Sequence, residues 1–149
     1  MNLTFIFEAT VLVGAPIELG DTARGRGRII PILGGTVAGP RLSGRVLAGG
    51  ADWQTLRPDG VAEIEARYVI ESAEGVAISV HNAGLRHGPP EIMAKLVAGQ
   101  SVPPDSYYFR TAPRFEVGDP RYAWLGRALF LCQGVREPNC VRLKFFEVS

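Results

Sequence analysis

The 149-residue chain has only two cysteines, two histidines and two methionines. No apolar run approaches the roughly 20 residues that a membrane-spanning helix needs. The start, MNLTFIFEATVLVG, lacks the basic region and small-residue cleavage site of an export signal, so a soluble cytoplasmic protein with no membrane partner is expected. His81 and His87 have no acid or cysteine at ligand spacing, which leaves no set for a metal and no histidine-centred triad. A turn centred on Glu137 and Pro138 sets Cys132 across from Leu143 rather than Cys140, so two reduced thiols are expected instead of a disulfide. Charge of one sign is missing too. Sixteen basic against fifteen acidic side chains give a net charge of +1, without the field that would hold nucleic acid. GxSxG, P-loop, CxxC and HExxH patterns are absent, and the glycine-rich run Gly25 to Gly50 does not open a long helix. No cofactor is expected.

What the chain does have is 18 glycines and 11 prolines, spread from end to end. They punctuate many short elements, and the length fits one domain over residues 1–149. Leu3, Phe5, Phe7, Ala9 and Val11 alternate with polar residues, Ile6 being the exception, which predicts a strand with one buried face. Arg24, Arg26 and Arg28 also recur at period two, either as a solvated outer face or as an anion-attracting rim. Pro31 and the pairs Gly34-Gly35, Gly39-Pro40 and Gly49-Gly50 interrupt the following apolar segment, as bulges and corners do in strongly coiled strands. Strands are predicted over 75–80, 107–113, 127–135 and 141–148. A short helix is predicted over 90–98, after Pro90 and before Gly99, covering a barrel end. Roughly eight to ten short strands joined by tight connections make an all-β barrel or sandwich.

The segment Gly44 to Ile70 reads as a hairpin returning at Arg57-Pro58-Asp59-Gly60. In its second strand Ile64, Ala66, Tyr68 and Ile70 share one face, and Glu63, Glu65, Arg67 and Glu71 share the other. If the second face points inward, a carboxylate and a guanidinium project from neighbouring positions into one cavity. If it points outward, they form an exposed ladder pair.

GGTV with Gly39-Pro40, GGADW (Gly49 to Trp53), RPDG, EARY (Glu65 to Tyr68), YFRTAPRFE (Tyr108 to Glu116) and YAWLGR (Tyr122 to Arg127) follow one another over nearly the whole chain. Their order resembles the family called domain of unknown function 3237. The resemblance implies a single closed antiparallel β-barrel of calycin-like shape with a central pocket, and it implies no reaction or cofactor.

On that frame Glu65, Arg67 and Asp52 are the candidate catalytic residues. Arginine's planar fork suits a carboxylate or enolate, and a desolvated acid beside it can move a proton. Trp53, Tyr108, Arg110, Phe115 and Trp124 are candidate ligand-binding residues, with the aromatic rings as apolar wall. Three readings stand side by side. The first is a cofactor-independent isomerase, cyclase, hydratase or lyase for a small aromatic or carbonyl/carboxylate compound. The second is a non-catalytic carrier or sensor of such a compound. The third is an assembly protein whose inward polar groups satisfy one another. Self-association as a homo-oligomer through an outer sheet face is compatible with each.

Overall fold

A computed structural model describes every residue from Met1 to Ser149. Ten strands form one sheet: β1 (Leu3–Val13), β2 (Ile17–Thr22), β3 (Gly25–Ala38), β4 (Gly44–Val46), β5 (Ala51–Leu56), β6 (Ala62–Ser72), β7 (Ala77–His87), β8 (Tyr108–Glu116), β9 (Leu129–Arg136) and β10 (Cys140–Val148). Neighbours run antiparallel in the order β1-β10-β9-β8-β7-β6-β4-β3-β2, and β1 pairing with β3 closes the ring.

The ring has eight staves, two of them interrupted. β1 and β2 follow one another along β3, where Val13 faces Ile32 and Ile17 faces Ile29. β4 and β5 likewise follow one another between β3 and β6. The result is a closed eight-stranded barrel with two extra short strands. Pro31 is tolerated in mid-strand because it lies opposite the break between β1 and β2. There its carbonyl accepts from the Gly14 amide at 2.9 Å and no ladder amide is required of it. Gly35 has φ +153°, and an added Cβ would stand 2.0 Å from the Thr10 carbonyl oxygen of β1. Gly35→Ala is expected to cost about 3 kcal/mol, read as a lowered urea midpoint at unchanged m-value.

The alternation in β1 does not run through. A register shift between Phe5 and Phe7 puts Leu3 and Phe5 outside and buries both Ile6 and Phe7 completely. One inserted residue reverses every later side chain, which accounts for the exceptional Ile6. β7 also exceeds its predicted end at Val80 by seven residues, because His81 to His87 keep pairing with β6 and β8. The β9–β10 turn is centred one residue later, on Pro138 and Asn139, with the Glu137 amide donating to the Cys140 carbonyl at 2.9 Å. Arg136 therefore faces Val141, and Cys132 faces Phe145, not Leu143. Both thiols are free, and burial pushes that of Cys132 up to about 12.

Helix α1 (Pro90–Val97) forms where expected, with Pro90 in its first turn and Gly99 just beyond it. Two 3-10 turns, Pro104–Ser106 and Pro120–Gly126, add to it. No helix is long and apolar enough to cross a membrane. The barrel is filled at one end by the rings of Phe7, Phe115, Phe130 and Phe145, with Phe7 stacked on Phe145 at 4.3 Å. At the other end Leu96 of α1 packs over Ala62, Ile64, Val102, Tyr107 and Phe109. Between these two plugs the interior turns polar.

Candidate functional site

In β5, Asp52 and Gln54 point inward and Trp53 outward, as strand alternation requires. Across the ladder Asp52 faces Ala66, which faces Asn82. Gln54 faces Ile64, which faces Gly84, which faces Thr111. Two residues beyond Gly84, Arg86 comes from β7 into the same interior. β3 brings Arg28 opposite Gln54, and Arg136 enters from the end of β9. The central chamber is small, about 40 Å³, and it shares Gln54 and Arg86 in its lining with a mouth of about 590 Å³ beneath α1.

Gln54 is the hinge of the hydrogen bonding. Its Nε2 donates to Asp52 Oδ2 at 2.7 Å, and its Oε1 accepts from Arg86 Nη2 at 3.5 Å, the outer limit of such a contact. Around it six sealed polar atoms find no partner in the protein: Asp52 Oδ1, Tyr68 Oη, Asn82 Oδ1, Thr111 Oγ1, Arg86 Nε and Arg28 Nε. Folded proteins leave few such atoms, and here all six belong to residues lining the chamber or its mouth.

The charges are as unusual as the hydrogen bonds. None of the chain's eight ion pairs includes Asp52, Arg28, Arg86 or Arg136. Burial raises the Asp52 carboxyl above the ordinary carboxylate range, against the lowering influence of the Gln54 amide and then of Arg86. Some of the Asp52 residue surface stays accessible, yet Oδ1 is shut away from solvent. Arg86, 5% exposed, is drawn down to about 10 by burial first, with Arg136 and Arg28 repelling its charge and Asp52 opposing the change. It remains a cation at neutral pH. Arg136 is lowered in the same way, and its Nη1 donates to the carbonyls of Glu137 and Cys140. Arg28, Arg86 and Arg136 thus place three guanidinium groups around this interior against the single carboxylate of Asp52, a local excess of positive charge. No three His, Cys, Asp or Glu side chains are grouped so as to hold a metal ion.

Of the candidate residues, only Asp52 lies in this chamber. Glu65 and Arg67 stand on the outer face, half or more exposed, where Glu65 contacts His81 at 3.2 Å and Arg67 at 3.9 Å. The inward face of β6 is the one carrying Tyr68, because Ile64, Ala66 and Ile70 have nowhere else to be buried. Trp53, Tyr108 and Arg110 are outside for the same reason. Tyr108 stacks there on His87 at 4.9 Å. Phe115 belongs to the packed ring cluster. Trp124 lies at that filled end, with the Arg41 guanidinium 3.7 Å above its ring. Of the period-two arginines, Arg26 and Arg28 line the mouth, while Arg24 is exposed and stands 4.0 Å from Glu63. Tyr68 and Gln54 were within reach of the alternation rule. Asn82 and Arg86 required β7 to be continued through HNAGLRH.

The family described as "Protein of unknown function (DUF3237)" matches residues 1–148. A UPF0311 protein of Clostridium acetobutylicum is 43% identical over 150 residues, covering 100% of this chain and 95% of its own length. The crystal structure of a conserved protein of unknown function from Rhodopseudomonas palustris superposes with a TM-score of 0.93 at 41% identity, covering 100% of this chain and 99% of that one. A β-barrel like protein from Acinetobacter baumannii gives 0.87 at 36% identity, covering 99% and 96%.

Proposed function

The chain belongs to the DUF3237 family of proteins of unknown function, and since that name carries no reaction, we propose from the interior alone that the barrel binds a small organic anion and moves a proton on it without a cofactor. The observation that carries this reading is Arg86. A desolvated guanidinium with no carboxylate in contact costs stability, by several kcal/mol in typical cases, unless a ligand's charge offsets it. Its Nε and the Oδ1 of Asp52 are both without a partner, and both residues line the same chamber. A carboxylate, enolate or phenolate between them would satisfy the first and lie within reach of the second.

Asp52 supplies the chemistry. A carboxyl held above its usual pKa accepts a proton from an acidic carbon or hydroxyl and returns it, while Arg86 carries the negative charge that develops on oxygen. Isomerisation, cyclisation, hydration and elimination of a carbonyl compound all have this requirement. Tyr68 Oη and Thr111 Oγ1 are further donors for a polar substituent.

The test is Asp52→Asn, measured with ligand released by denaturing the purified protein and identified by mass spectrometry. Binding of that ligand is expected to survive within about tenfold, and its conversion to fall by about a hundredfold or more. If the wild-type protein returns the ligand unchanged on prolonged incubation, the barrel is a carrier and not an enzyme.

A further inference from the structure

We infer that the ligand enters head first and is an amphiphilic monoanion, its charged end in the central chamber and its apolar body in the mouth beneath α1. This rests on the anion-binding reading above and adds the ligand's size, polarity and direction.

The two volumes force the division. At about 40 Å³ the chamber has room for about three water-sized groups. That is enough for a carboxylate or a single oxyanion. A cavity that takes up benzene measures about 150 Å³, so no ring fits beside Asp52. The mouth, about 590 Å³, falls within the range of small-molecule sites. Gln54 and Arg86 line both spaces, so Arg86 stands at the neck, where one face meets the head and the other meets whatever follows.

The walls of the mouth differ from those of the chamber. Leu56 and Val61 flank the β5–β6 turn, and α1 faces them with Met93, Ala94 and Val97. Met93 and Val97 are four residues apart, hence neighbours on one side of the helix. Val97 is 60% exposed, an odd place for valine on a short surface helix, and its exposed surface belongs to the mouth. On the rim Glu18 stands across the ladder from Arg28, and Asp59 is paired with Arg57. The apolar wall of the mouth favours a monocarboxylate or phenolate on an aromatic or short aliphatic body.

The experiment titrates the full chain with acetate, butyrate, hexanoate and 4-phenylbutyrate by calorimetry, in wild type, Val97→Asn, Met93→Asn and Arg86→Met. Affinity is expected to rise with length by about fourfold per methylene buried. Each mouth variant should cut the phenylbutyrate affinity by about tenfold and leave acetate unchanged. Because Val97 is already exposed, its substitution leaves folding intact. A flat series with Arg86→Met still abolishing binding would overturn the head-and-tail assignment and leave the anion site standing. Failure of every acid to bind, or binding indifferent to Arg86→Met, would overturn the anion site and this inference with it.

Discussion

Arg86→Met is expected to lower affinity for a small carboxylate by a hundredfold or more while leaving the urea midpoint of the free protein unchanged or higher. Truncating one member of a buried charge contact costs about 2–5 kcal/mol of binding, and every 1.4 kcal/mol is tenfold. Methionine nearly matches the length of arginine and brings no charge into the interior. The free protein loses a 3.5 Å contact to Gln54 and a guanidinium 5.5 Å over the Phe109 ring, and escapes an unpaired buried cation. The substitution also has a pH signature. Asp52 binds its proton more tightly in the folded chain than in the unfolded one, because burial outweighs the groups that favour its ionised form. Between the ordinary carboxylate pKa and the raised folded value, the folded state therefore holds more protons, and stability falls as pH rises through that window. Removing Arg86 takes away one of the lowering influences, so the decline should extend to higher pH in the variant. Urea denaturation from about pH 4 to pH 8 reads both effects. A loss of several kcal/mol in stability with binding intact would make Arg86 a structural residue and the interior a self-satisfied network.

Phe115→Ala should do the reverse, destabilising the barrel by about 3–5 kcal/mol and leaving the affinity of the folded fraction as it was. Phe115 is 7% exposed and sits among three other rings, 5.2 Å from Phe130, 6.0 Å from Phe145 and 6.2 Å from Phe7. None of the four lines the chamber or its mouth. Removing the ring loses its transfer free energy and leaves a void that a closed sheet cannot collapse around. Against a total stability of about 5–15 kcal/mol, that loss is a large fraction. Chemical denaturation gives the first quantity, and calorimetry at low temperature gives the second. An affinity that drops in step with stability would return Phe115 to the ligand wall.

The contrast between these two residues marks where sequence reasoning stopped. Period-two patterns, glycine pairs and RPDG located most of the strands and the β5–β6 turn, where the Gly60 amide donates to the Arg57 carbonyl at 3.0 Å. Alternation says that two faces exist, and only packing says which is inside. At β6 the charged face looked chemically richer, but Ile64, Ala66, Tyr68 and Ile70 are the residues that lose water on folding. Asp52 was legible as a site residue together with its neighbour Trp53, although alternation admits only one of the two to the interior. Arg86 was not, since Asn82, Gly84 and Arg86 give β7 a polar inner face that carries no hydrophobic signal. The insertion near Phe5 was equally hidden, because an extra apolar residue in an apolar strand leaves the composition unchanged.

The pair most distant along the chain, β1 with β10, joins Leu3 to Val148, and Asn2 and Ser149 exchange backbone hydrogen bonds beside it. During synthesis the first strand emerges long before its partner exists, and β3 can hold only one of its flanks. Closure then waits until the final strand has left the ribosome. A topology dominated by such distant pairings folds slowly for its length, with an open, edge-exposed sheet as the form that chaperones would meet.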